Sequence, residues 1–208
     1  MNQYKQISFR LLALLSIYFA LLTLTKVTGF DKVYLTHFVN KGNAMFSNFG
    51  NGGEVKFIIE RSSNKCSIQF TSKQQKKNAI AKAKREGKKQ VAYHPTKISI
   101  NSWNHFGVLV LFWIACIIVL PISWKPKLLV AAISYLLVES YFYIKLWTKI
   151  NLEFSKWYDQ FQVGWQNQFA IDLLNYFLLI ISYPFFGLLF VFLMLVFLSR
   201  RFLTIPVS

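Results

Sequence analysis

The stretch that decides the fold is FGVLVLFWIACIIVLPI at 106–122, followed after the turn Ser123-Trp124-Lys125-Pro126-Lys127 by LLVAAISYLLVESYFYIKLW at 128–147. A hydrocarbon core of about 30 Å needs about 20 mostly apolar residues as a helix, and roughly 17–25 will serve. Lipid offers no partner to backbone N–H and C=O groups, so both runs read as helices and not as strands. Working outward, 11–23 is a first stretch of the same kind, with Ile7 and Phe9 ahead of it, and 171–198 is a fourth. The reading is a mainly α membrane protein with four transmembrane helices.

Composition agrees. The chain of 208 residues is 54% hydrophobic and holds 21 Phe, 10 Tyr and 6 Trp, and its apolar residues come in blocks. Against that background a formal net charge of +16 is high. It is concentrated: residues 26–104 carry 15 of the 24 Lys and Arg, against the acids Asp31, Glu54, Glu60 and Glu86. Cys66 lies in this polar segment and Cys116 in the second apolar helix, so no intramolecular disulfide is expected. Cys116 reads as a small packing residue. Lys5 and Arg10 precede the first stretch as in a signal peptide, but the run Thr23-Leu24-Thr25-Lys26-Val27 has no small residues for cleavage. An uncleaved signal anchor is the expectation.

Four crossings put both termini on one side, with Lys5, Arg10, Lys125, Lys127, Arg200 and Arg201. The short connection on the opposite side offers Lys149 and Lys156, balanced by Glu153 and Asp159. Positive-inside counting over short elements therefore makes the termini cytoplasmic, because loops beyond about 60 residues translocate largely regardless of charge. The expected order is a tail and signal anchor at 1–25, a basic extracytoplasmic segment at 26–104 and two spans at 105–147. An interfacial helix at 148–170 and a last span with its tail at 171–208 follow. The bacterial inner membrane is the expected location.

Inside 26–104 the sequence predicts a small α+β insert. Residues 40–53, rich in Gly and Asn, read as a loop. Residues 54–60 are a strand, 61–64 a turn and 66–71 a returning strand. Ser72 caps a helix over 73–85 that stops at Gly87, and 90–93 offers a third strand before Pro95. In 148–170, Ile150, Phe154, Trp157, Tyr158, Phe161, Trp165 and Phe169 recur at steps of three and four, the pattern of an amphipathic helix. Beside a span it fits a place in the interface, either as a plain aromatic belt or as a docking surface built on Trp157, Phe161 and Trp165.

Glu139 is the first candidate for chemistry, an acid near the middle of the third span, where such residues face a bundle interior or a watery cavity. Tyr135 and Tyr143 lie one turn either side of it, with Ala131 on the same stripe. The stripe fits a proton relay, a partner contact, or a protonated packing residue whose carboxyl is raised by burial. Asp172 suits the positive end of the fourth helix. Lys76, Lys77, Lys82, Lys84, Arg85, Lys88 and Lys89, with Lys73, form a basic stretch in which Glu86 is the only acid. Such a run suits anionic headgroups or an anionic polymer, or is a solvated helix face. Nucleic acid is disfavoured by the topology and by the lack of interleaved aromatic residues.

No catalytic set is written in the sequence. His94 and His105 flank the entry to the second span, with Ser99 and Ser102 nearby, but no neighbouring acid or thiol completes a triad. There is no HExxH, CxxC or Gly-rich phosphate loop, so neither a metal nor a cofactor is expected. Pro184 removes a backbone donor and predicts a kink in the fourth stretch.

The order of parts resembles the small membrane proteins associated with bacterial exosortase systems. The residues that carry the resemblance are Tyr93-His94-Pro95 through Ser99-Ile100-Asn101-Ser102 and the basic turn Trp124-Lys125-Pro126-Lys127. Exosortases themselves use a membrane Cys with Arg and His, and Cys116 has no such neighbours, so no sortase activity is implied. The resemblance implies a non-enzymatic accessory subunit of a protein-sorting or envelope-polymer export system, partnered by membrane lipid and a larger integral membrane protein. The rival readings are a small oligomeric transporter or channel component using Glu139, and an enzyme with an outer-interface site near His94 and His105.

Overall fold

The computed structural model describes residues 3–50, 52–60, 65–87, 96–156 and 164–203. They fall into two compact units. One comprises residues 1–31, 103–145 and 180–208, the other residues 32–102 and 146–179.

The first unit is helical. Helix α1 (Gln3–Thr28) ends at Gly29, whose φ of 66° suits only a residue without Cβ at a helix stop. Later in the chain, after α2 (Phe30–Phe46), α3 (Lys73–Arg85) and the sheet of the second unit, a π-helical turn (Trp103–Gly107) runs directly into α4 (Val108–Val119). The turn needs a glycine at 107, because any Cβ there would collide with the Trp103 ring. Helix α5 (Trp124–Lys156) follows, and the last helix of the chain, α7 (Pro184–Leu203), closes the unit. α4 packs against both α1 and α7. Trp113 Nε1 donates to Ser134 Oγ at 2.9 Å, and the Phe106 and Phe142 rings meet edge to face at 4.8 Å, tying α4 to α5.

Contacts inside this unit sort the helix ends. At one end Arg10, Leu120, Pro121 and Val196 border a single apolar groove, and Lys127 Nζ donates to the Ile118 carbonyl at 3.1 Å. At the other end Phe30 meets Trp103 ring to ring at 6.5 Å, while Asn104, Lys145 and Tyr183 surround a small cavity. Neighbouring helices are thus antiparallel, and the basic turn 123–127 lies at the same end as Arg10.

The second unit is built on an antiparallel sheet, β1 (Asn48–Phe49), β2 (Gly53–Ile59), β3 (Cys66–Ser72) and β4 (Thr96–Ile100), in sequential order. Val55 faces Phe70 and Phe57 faces Ile68 across β2 and β3. These four are buried, as are Phe46 and Phe49. Alternation sends Glu54, Lys56, Gln69 and Thr71 to the opposite face. Helix α3 (Lys73–Arg85) follows β3 directly. The strands expected at 54–60 and 66–71 form, as does the helix expected at 73–85. The Gln75 amide donates to Ser72 Oγ at 3.0 Å, and Gly87 at a φ of 64° marks the stop. The turn at 61–64 and the strand at 90–93 lie outside the described residues.

Two expectations are corrected. Residues 40–53 are not one loop: helix α2 (Phe30–Phe46) runs through half of them, burying Leu35, Phe38, Val39, Gly42 and Phe46. Gly42 and Asn43 in it are packing residues. A Cβ on Gly42 would sit 2.6 Å from the Phe57 ring. The Asn43 amide donates to the Phe57 carbonyl at 2.9 Å and accepts from the Phe57 N–H at 2.8 Å. β1 pairs only with Gly53 and Glu54, so Asn43 takes the place of the missing strand farther along that edge.

The second correction concerns 148–170, which is not one amphipathic helix. Residues 148–156 are the last turns of α5, and 164–167 are not helical. Gly164 adopts a φ of 101°, and Ser155 Oγ accepts the Trp165 N–H at 2.8 Å, which folds the chain back against the helix end. The kink expected at Pro184 is present: the fourth stretch bends by 70° where α6 (Gln168–Ser182) gives way at Tyr183 to α7. Pro184 opens α7, where its missing N–H costs nothing. By length and composition α1, over Ser8–Thr28, and α5 can each cross a membrane, and α6 with α7 makes a further span if the broken pair is counted as one; α4 is shorter.

Candidate functional site

Glu139 sits at the middle of α5, half-buried, between Tyr135 and Tyr143, which are 43% and 42% exposed. The packed face of α5 is its neighbour: Val130, Ser134, Val138, Tyr141 and Lys145 are buried at steps of four, four, three and four. Tyr135, Glu139 and Tyr143 therefore run along the border of the packed face. Tyr135 reaches inward, its ring 5.8 Å from that of Trp113.

Basic residues on α3 separate into roles. Lys76 is half-buried and pairs with Glu54 on the polar face of the sheet. Lys82 stands 4.0 Å from Glu86, with its side chain 78% exposed. Lys73, Lys77 and Lys84 lie on one stripe with Ile80, at steps of four, three and four, and all four are exposed; Arg85 is exposed too. Ala83 is the residue α3 buries. A helix this poorly covered has most of its surface available to a partner. Lys88 and Lys89 lie outside the described residues.

Trp157 and Phe161, two of the three expected docking aromatics, also lie outside the described residues. Trp165 is 40% exposed and meets Trp147 edge to face at 6.4 Å. His94 and the side chain of His105 lie outside as well; the His105 backbone belongs to the π-helical turn. Among the described residues no three His, Cys, Asp or Glu side chains gather to hold a metal ion. Cys66 and Cys116 are both buried as free thiols. Burial pushes the Cys66 thiol up to about 12.

Lys145 was not anticipated. It is 8% exposed, and its Nζ lies 5.3 Å from the centroid of the Phe106 ring. With Asn104, Tyr141 and Tyr183 it borders a cavity of about 60 Å³. The Tyr141 hydroxyl, donating to the Ile181 carbonyl, fixes one wall. The signal available in the sequence was the lysine itself, inside a stretch apolar enough to cross a bilayer.

No protein-family model, curated protein or solved structure matches this chain.

Proposed function

We propose that this chain is a non-enzymatic accessory subunit of a bacterial inner-membrane protein-sorting or envelope-polymer export system, of the exosortase-associated kind. In this reading it crosses the membrane four times with both termini cytoplasmic, and it presents the basic α+β unit outside. The observation that carries the reading is the membership of α5 in both units. Its 33 residues extend about 50 Å, well beyond a hydrocarbon core of about 30 Å. Residues up to Lys145 belong to the helical unit, and those from Leu146 belong to the unit that holds the sheet. In this reading one helix supplies a membrane crossing and part of the sheet-bearing unit's core, as suits a subunit that displays a module beside a membrane partner.

In this reading α6 and α7 together make the fourth crossing as one broken span, and the exposed Phe169, Leu173, Tyr176 and Leu179 of α6 suit lipid or its interface. The stripe Lys73, Lys77, Ile80 and Lys84 would meet anionic headgroups or an anionic polymer, at about 1 kcal/mol per charge near the surface. The larger membrane partner would dock along Tyr135, Glu139 and Tyr143, where interhelical hydrogen bonds contribute about 0.6 kcal/mol each, rarely more than about 1.7.

The test is co-purification from native membranes in mild detergent. The parent chain is expected to migrate with a larger membrane protein, and Glu139→Leu combined with Tyr143→Ala to weaken that association without lowering the level of the chain. Glu139→Gln, which keeps the hydrogen bonding, should retain it. A chain that runs as a monomer after crosslinking in native membranes would sink the reading.

A further inference from the structure

The proposed role leaves the cavity around Lys145 without a use, and its chemistry is specific. We propose that it binds a phosphate group, presented by the headgroup of an anionic membrane lipid. A lysine is a compact point charge suited to phosphate, and this one is held inside the protein over the Phe106 ring rather than at the surface. Asn104 and Tyr183, both with side chains able to hydrogen-bond a phosphate, line the same space. A single water needs about 10–15 Å³ of such space. The cavity of about 60 Å³ therefore has room for a cluster of waters or for one tetrahedral anion. Asn104 is exposed, and Leu109 and Leu188 line the same cavity.

The source of the phosphate rests on the membrane-spanning reading. Lys145 lies about 21 residues after Trp124 on one unbroken helix, a rise of about 31 Å. Trp124 is 71% exposed beside the basic turn and suits one interface. One hydrocarbon thickness farther on, Lys145 is level with the opposite headgroups. There a lipid phosphate is the abundant anion, and the adjoining leucines meet the start of an acyl chain.

The experiment titrates the full-length protein in neutral detergent, following thermal unfolding, with three probes: dihexanoyl phosphatidylglycerol, dihexanoyl phosphatidylcholine and inorganic phosphate. The anionic lipid is expected to raise Tm at concentrations at least about tenfold below the zwitterionic one. Lys145→Met, which keeps the stem and removes the charge, should lose about tenfold or more in affinity for the anionic lipid. Asn104→Leu, at an exposed position, should lose less and serves as the test if Lys145→Met does not fold. Inorganic phosphate binding as well as the lipid, with the same dependence on Lys145, would keep the phosphate site and assign it a free anion. Variants that bind like the parent, or a parent that responds to none of the probes, would overturn the proposal. Carbonate extraction of the parent membranes tests the membrane reading separately: a chain that resists extraction and binds no probe loses the site and keeps the membrane.

Discussion

The two ends of α5 are the same helix in two surroundings. Through Lys145 burial follows one stripe, while Leu128, Leu129, Tyr135, Leu136, Tyr143 and Ile144 are exposed. From Leu146 onward nearly every side chain is covered, polar ones included: Thr148, Asn151 and Ser155 are buried along with Ile150, Leu152 and Phe154. A helix that is apolar on its outer face and packed on a single stripe suits lipid, which solvates the rest. A helix covered on all sides is a core element of a globular domain. Sequence hydropathy ranks the first part as the more buried, because it measures preference for leaving water and not contact with protein.

The largest expected effect comes from breaking the covered end. Phe154 is fully buried, stacked on Phe49 at 5.6 Å and edge-on to Phe70 at 5.5 Å. Phe154→Ala should cost about 3–5 kcal/mol. Cys66, fully buried on β3, reports on the same unit, while Cys116 belongs to the other. Where opening is fast relative to labelling, that loss raises the rate of Cys66 modification by a thiol reagent about a hundredfold or more, at tenfold per 1.4 kcal/mol. Cys116 should label as in the parent. If both thiols accelerate together, the two ends of α5 do not report on separate units.

A smaller loss is expected at Asn43. Its replacement by Ala leaves the N–H and C=O of Phe57 without the partner they have at the open edge of β2. An unmet buried backbone group costs about 1–3 kcal/mol, and partial access of water places this site near the lower figure. Cys66 labelling should rise about tenfold, with oligomerisation through the uncovered edge as a second readout. An unchanged rate would mean that water serves the edge as well as the side chain does.

Asn43 also shows what was legible and what was not. Strands alternate with period two and Ser72 has its helix-capping geometry locally, so β2, β3 and α3 could be read residue by residue. Gly42 and Asn43 carry the same local signal as a turn, yet they are used for a close approach to Phe57 and for pairing its backbone. Both uses depend on a residue 14 or 15 positions away, which no local pattern reveals. The end of α5 was misread for a related reason. Hydropathy falls at Lys149, Asn151 and Glu153, and a window tuned to lipid stops there, although the helix continues into a protein core. Glu139 was visible because an acid among apolar residues stands out. Lys145 does not stand out in the same way, because its cavity depends on Asn104 and Tyr183 from distant parts of the chain.

The thiol of Cys66 gives a pH-dependent version of the same contrast. Burial raises it to about 12 in the folded chain, whereas an exposed thiol titrates near about 8.5. The folded state therefore holds its proton where the unfolded chain has lost it. This contribution to stability is complete below about pH 8.5 and falls as the pH rises toward 12. The second unit should melt at lower temperature at pH 10 than at pH 8, and Cys66→Ala should flatten that dependence. An equal slope in the variant would assign the loss to lysines or tyrosines instead.

The smallest effect is expected at the opposite end of the helix, and it is the sharpest test of what surrounds it. Leu136 is 66% exposed near the middle of α5. In lipid or detergent the side chain has much the same apolar surroundings whether the protein is folded or not, so Leu136→Ala should change the stability of the isolated chain by less than about 0.5 kcal/mol. Neither Cys66 nor Cys116 should label faster. Truncating a leucine packed in a protein core costs about 2–5 kcal/mol, so the two surroundings differ by several-fold and the measurement separates them. A loss above about 1 kcal/mol in the isolated chain would show that this face is packed against protein, and a loss that shrinks on dilution would identify that protein as a second copy.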